Sequence, residues 1–228
     1  MQKPIIAVNL RGLFLKGNAW DDAHYLWYEQ KEKELKKQSK DTSAIDEWRQ
    51  LLRSNPNEER KTYFRYVDKV MESLYPNFKE EERTARARET YFDAVCQYLK
   101  KHPEARNEEV IKYFKSLKDS YRIALITANT QEALDRIIKV SKLEGLFDIF
   151  ETSLPTEKDD KLLVIERFLK KHGRPLSYIG GEKASTYDYC KKYKIPHIFA
   201  NLEGQEEIPG VKSVHNLREL KEALKRLI

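Results

Sequence analysis

Apolar residues recur with two different periods along this chain. From Trp20 to about Ser120 they fall three and four apart, between long stretches of Glu, Lys, Arg and Gln, which is the period of amphipathic helices. Asn55-Pro56 reads as an N-cap followed by Pro at the first helical position, ahead of a stripe of Tyr63, Phe64, Val67, Val70, Met71 and Leu74. Another helix is predicted from about Lys79. Its Glu80, Glu81 and Glu82 sit where the helix dipole favours acids, and Tyr91, Phe92, Val95, Tyr98 and Leu99 form its face. Ser43 with Asp46 resembles a capping box before Trp48, Leu51 and Leu52.

On either side the pattern changes to short apolar runs alternating with helices. Residues 5–8, 123–126, 147–150, 176–179, 197–200 and 211–214 read as strands bounded by turn or capping residues. Helical stretches at about 131–143, 160–172, 185–193 and 217–227 separate them. That rhythm predicts an α/β fold, with a mostly parallel sheet covered on both faces. The helical segment, residues 16–119, is then an insertion at the carboxyl end of the first strand, where open α/β sheets place their ligands. The α/β domain is assigned to 1–15 and 120–228.

The 228 residues include 40% hydrophobic and 11% aromatic side chains, enough apolar surface to offset chain entropy, so a wholly disordered chain is excluded. No apolar run approaches the roughly 20 residues that span a bilayer, and the start leads straight into a strand, so a cytoplasmic location without membrane attachment is expected. Cys96 and Cys190 have no CxxC spacing, which supports neither a disulfide framework nor a zinc site. The net charge is +6, with 43 Lys and Arg against 37 Asp and Glu. Residues 16–119 hold 22 of the basic and 21 of the acidic side chains, so the excess lies in the outer segments. Nucleic-acid binding needs such an excess gathered on one face.

Four segments carry the candidate chemistry. The first strand ends in Ala7-Val8-Asn9-Leu10-Arg11-Gly12-Leu13-Phe14, and the second in Ile123-Ala124-Leu125-Ile126-Thr127-Ala128-Asn129. Lys158 and Lys161 precede or open a helix, and Tyr178-Ile179-Gly180-Gly181-Glu182-Lys183-Ala184-Ser185 follows a later strand. In this order and at this spacing they resemble the four motifs of the haloacid dehalogenase (HAD) superfamily. The resemblance implies a Rossmann-like parallel-sheet core with an inserted all-helical cap domain of the C1 type. Lys161, which starts the apolar-periodic helix of Leu162, Ile165, Phe168 and Leu169, has the more family-like placement of the two lysines.

The family pattern has an aspartate nucleophile and an aspartate acid/base in the first motif, and Mg²⁺-holding carboxylates in the fourth. Here those positions are Asn9, Arg11, Gly181 and Ser185. A carboxamide lacks the anionic oxygen that attacks phosphorus. A guanidinium stays protonated and cannot act as a base. Magnesium wants hard anionic oxygens. The aspartyl-phosphate reaction is therefore expected to be absent, and no Mg²⁺ or other cofactor is expected. The resemblance makes Thr127 and Lys161 or Lys158 the groups that hold phosphoryl oxygens, and amides around Leu10, Arg11, Gly12 and Ala128 could form an anion nest. Two readings of Arg11 stand: a fixed cation for a phosphate or carboxylate, or the partner of Glu182 or another acid in a structural role.

The expected function is that of a non-catalytic, pseudophosphatase-like binding or interaction protein, holding a phosphorylated small molecule or a protein partner. One alternative is an atypical phosphoester hydrolase using another carboxylate, such as Glu182, Asp188 or Asp21. A second is a nucleic-acid-associated protein. The remaining groups have plainer readings. His24, His102, His172, His197 and His215 show no metal-ligand spacing, and Asp21-Asp22 precede a helix as caps do. Tyr187, Asp188, Tyr189 and Cys190 read as helix packing, and Gly180-Gly181 as a tight turn. Trp20, Tyr25, Trp27 and Tyr28 form an aromatic stripe that packs a helix in preference to stacking bases.

Overall fold

The computed structural model describes residues 3–54, 60–154, 157, 161–181 and 184–227. In chain order, β1 (Ile5–Val8) is followed by α1 (Asn18–Lys37), α2 (Ser43–Ser54), α3 (Arg60–Leu74) and α4 (Glu80–Lys101). A 3-10 turn at Pro103–Ala105 and α5 (Glu108–Leu117) lead into alternating elements. These are β2 (Arg122–Thr130), α6 (Gln131–Val140), β3 (Ile149–Ser153), α7 (Lys161–His172), β4 (Ser177–Gly180), α8 (Ala184–Lys192), β5 (His197–Ala200), β6 (Ser213–Val214) and α9 (Leu217–Lys225). The chain divides into two compact units, one of residues 1–20 and 99–228, the other of residues 21–98.

The first unit is a six-stranded sheet of order β3-β2-β1-β4-β5-β6 in which every neighbouring pair is parallel. That is the α/β arrangement the alternating pattern predicts. Strand β1 lies between β2 and β4, with Ala7 level with Ala124 on one side and Tyr178 on the other. Two alanines there leave room for the Tyr178 ring, which joins Ile165, Phe168, Tyr187 and Phe199 in a core cluster under α7 and α8. Side chains cap the helices that follow turns: Asn107 accepts from the Val110 amide, Thr130 from that of Ala133, and Asn216 from that of Glu219.

Four sequence readings differ from the structure in their bounds. The third strand runs from Ile149 to Ser153, later than 147–150, because Phe147 is drawn into the core against Phe14, with ring centroids 5.4 Å apart. The fourth and sixth strands are Ser177–Gly180 and the two-residue Ser213–Val214. The helical unit is narrower than the inserted segment 16–119, since α5 belongs with the sheet: it buries Val110, Ile111 and Phe114, the last edge-on to Phe14 at 5.0 Å. Asn55-Pro56 lies outside the described residues.

Within the helical unit, Tyr28 and Trp48 stack with centroids 3.8 Å apart, and Trp27 donates its indole N–H to Thr90 Oγ1 at 2.9 Å. Tyr98 donates to Asp22 at 2.7 Å, and His24 stacks on Tyr91. Trp20, Trp27 and Tyr28 are buried while Tyr25 is half exposed, so three of the four aromatic-stripe residues pack. Among the described residues no helix is long and apolar enough to cross a membrane.

Candidate functional site

The first, second and fourth motif segments leave the sheet side by side at the carboxyl ends of β1, β2 and β4, because those three strands are adjacent and parallel. Asn9 is the first residue beyond β1. Its amide continues the β1–β4 ladder by donating to Ile179 O at 3.1 Å, and the residue is 6% exposed. The next turn is wound around one carbonyl: Leu10 O accepts from the amides of Phe14 at 3.0 Å and Leu15 at 3.1 Å. Gly12 closes that turn with φ +73°, the left-handed conformation glycine adopts without a steric cost, and its N–H donates to Leu15 O at 2.7 Å. The Gly12 amide is thereby spent inside the turn, which removes it from the expected anion nest. Asn9 and Gly12 donors both serve the fold.

Arg11 extends toward the end of this turn and the β5–β6 loop. A methyl group on Gly17 would lie 3.5 Å from Arg11 Nε, 3.0 Å from Glu203 Oε2 and 3.6 Å from Gln205 Nε2. Glu203 is anchored there by the Gly17 amide, which donates to it at 2.7 Å. Asn201 shapes the loop that brings it, accepting from the Gln205 amide at 2.6 Å and donating to Gln205 O at 2.8 Å. Nothing in the sequence pattern pointed to Glu203 as a neighbour of Arg11, for the two are separated by most of the chain.

Thr127 is buried, and its Oγ1 accepts from the Asn129 amide at 3.2 Å, in the stretch of β2 where the register with β3 shifts between Ile126 and Thr130. Ala128 is half-buried one residue further along the same strand. Lys161 opens α7 and is 9% exposed; its ammonium donates to the Tyr178 hydroxyl at 2.9 Å, with Nζ 5.5 Å from the ring centre. Tyr187 donates to Gly180 O at 2.5 Å and so fixes the end of β4. Ser185 is exposed in the first turn of α8, and Asp188 is exposed on the same helix. Lys158 and Glu182 lie outside the described residues. From α7, Arg167 pairs with Glu157 ahead of that helix and holds its carboxyl below the usual carboxylate range, assisted by the Leu154 amide.

The closest approach in this region is between two backbones. A Cβ built on Gly181 would lie 2.5 Å from Gly12 Cα, 2.7 Å from Gly12 C and 2.8 Å from Gly12 O. Conversely, one built on Gly12 would lie 2.6 Å from Gly181 O and 2.7 Å from Gly181 Cα. Real Cβ contacts essentially never fall below 3.0 Å, so both positions require glycine. The donor set is equally unlike that of a magnesium site: a carboxamide at 9, a guanidinium at 11, no side chain at 181 and a hydroxyl at 185. These residues do not fit the cation that the family resemblance implies.

Comparison with known proteins agrees with the fold. The family model described as haloacid dehalogenase-like hydrolase matches residues 42–180, more than half of the chain. The chain belongs to the haloacid dehalogenase-like hydrolase family. The matched stretch contains Thr127 and Lys161 and stops at Gly180, so Asn9, Arg11 and Gly181 all fall outside it. No curated protein sequence matches the chain. Among solved structures, the HAD-hydrolase YfnB from Bacillus subtilis, bound to magnesium, is similar at TM-score 0.62 and 10% identity, over 99% of this chain and 100% of that one. A HAD phosphatase from Thermococcus onnurineus is similar at TM-score 0.60 and 16% identity over 98% of each chain. CbbY from Rhodobacter sphaeroides, in complex with phosphate, is similar at TM-score 0.60 and 11% identity, over 96% of this chain and 100% of that one. At these identities the likeness is one of fold.

Proposed function

We propose that this protein is a non-catalytic member of its family, one that holds an anionic ligand or a phosphorylated partner without cleaving it. The observation that carries the reading is Asn9, a buried carboxamide at the end of β1 where the resemblance implies the nucleophilic carboxylate. Its uncharged oxygen is a poor nucleophile toward phosphorus, and the guanidinium two residues later cannot exchange a proton at neutral pH. Thr127 and Lys161 remain, a hydroxyl and an ammonium of the types that hold phosphoryl oxygens.

Two measurements test this. The full chain, assayed with Mg²⁺ against a broad phosphoester panel, should give no turnover above the blank, and Asn9→Asp alone should leave that result unchanged. Turnover by the natural chain would overturn the proposal in favour of an atypical hydrolase. Inorganic phosphate, titrated by calorimetry, should bind with an affinity that Thr127→Ala lowers about tenfold, the worth of one hydrogen bond to a charged group. If phosphate does not bind at millimolar concentration, the anion-holding part fails and only a protein-interaction role is left.

A further inference from the structure

The contact between Gly12 and Gly181 goes beyond the loss of catalytic side chains. We infer that these two glycines form a main-chain clasp that bars any side chain from position 181, where the resemblance implies a metal-holding carboxylate, so that replacing side chains cannot rebuild a metal site there. The inference rests on the family membership and holds whether or not an anion binds.

Both sides of the clasp are fixed by hydrogen bonds. On the β1 side, Leu10 O gathers three amides, those of Leu13, Phe14 and Leu15, and Gly12 N–H bonds Leu15 O, which sets the left-handed turn at Gly12. On the β4 side, Tyr187 holds Gly180 O at 2.5 Å. Between them, the Asn9 amide to Ile179 O bond carries the β1–β4 ladder one residue past the end of β1. Neither Gly12 nor Gly180 can shift far without giving up one of these bonds. An aspartate at 181 would start its side chain with a carbon 2.5–2.8 Å from three Gly12 backbone atoms. Magnesium takes near-octahedral oxygen coordination at about 2.0–2.1 Å, usually with one or two carboxylates among its ligands. Here the contact leaves no space for a carboxylate to start from position 181.

The test uses the full chain and compares glycines. Gly181 has no left-handed backbone, so Gly181→Ala measures the steric contact alone, whereas Gly145 has φ +73° with nothing within 4 Å, so Gly145→Ala measures backbone conformation alone. Gly181→Ala should lower Tm by about 6 °C or more, or prevent folding, and Gly12→Ala should lower it further than Gly145→Ala does. A Gly181→Ala variant within about 2 °C of the natural protein would overturn the clasp.

The metal is read independently of activity and of any variant. In the natural chain, Mn²⁺ should produce no selective broadening of the Gly12 and Gly181 amide signals in NMR. The double variant Asn9→Asp, Ser185→Asp, which leaves both glycines in place, should fold and show no saturable Mg²⁺ binding by calorimetry. Selective broadening at both glycines, or tight Mg²⁺ binding by the double variant, would overturn the inference. Metal-free turnover of a phosphoester would end the non-catalytic reading and leave the clasp standing, so the two proposals fail separately.

Discussion

A buried ammonium must be given acceptors, and at Lys161 one of them is the Tyr178 hydroxyl. Removing that oxygen leaves a charged donor one bond short in a site with little access to water. Tyr178→Phe should therefore destabilise the fold by about 1–3 kcal/mol in urea unfolding. In the double variant Lys161→Met, Tyr178→Phe, the two losses should sum to more than the measured effect, because the second change removes a group already orphaned by the first. Additive losses would mean that the contact contributes nothing of its own. The sequence made Asn9, Arg11, Thr127 and Lys161 legible, since each stands at a fixed place relative to an apolar run. It could not reveal Tyr178 as the lysine's partner. Strand alternation states which residues share a face, but the meeting of Tyr178 with Lys161 depends on where α7 lies over β4, with two alanines beside the ring. The Gly12–Gly181 approach is hidden for the same reason: each glycine reads as a turn residue, and only their packing distinguishes a turn from a clasp.

At the scale of elements, local chemistry predicted most of the sheet and its helices, and the errors occur where tertiary packing overrides an apolar run. Phe147 reads with the third strand but is spent, with Leu143 and Leu146, on burying the turn that precedes it. In the helical unit, α1 and α2 are joined by polar chemistry as well as by the Tyr28–Trp48 stack. Arg49 pairs with Glu32, and Lys36 donates to the same carboxylate at 2.6 Å. These hydrogen bonds, first that from Arg49 and then that from Lys36, pull the Glu32 carboxyl from its ordinary 4.5 down to about 2. A carboxyl depressed in the folded state stabilises fully above its unfolded value, and that contribution is lost as pH falls from about 4.5 toward 2. Because the pair is partly solvated, its worth is about 0.5–1 kcal/mol. Arg49→Gln should thus lower Tm at pH 7 by about 1–4 °C, and the gap between variant and natural protein should narrow as pH falls below about 4.5 and close toward pH 2. A gap that stays constant across that range would assign the effect to lost packing instead.

Over the whole molecule, the distribution of charge bears on partners more than its total does. The excess of +6 is modest, and several cations of the α/β unit are paired with acids. Lys118 meets Asp148 at 2.9 Å, Lys171 meets Glu151 at 2.9 Å, Arg167 bridges Glu151 and Glu157, and Arg218 meets Glu222 at 3.1 Å. Each such pair lowers the local potential that a phosphodiester backbone would feel, and counterion release requires several unpaired cations along one track. We therefore expect no saturable association with a fluorescent single-stranded oligonucleotide of about 20 nucleotides at 150 mM salt, with weak association at low salt that falls off only gradually as salt is added. A tight complex whose affinity drops by a factor of about 10³ between 50 and 200 mM salt would show a coherent basic surface after all. In that event the cations to substitute first are Lys139, Lys170 and Lys212, exposed residues of the α/β unit, with Lys33 of the helical unit as the matched control for the near-neutral segment.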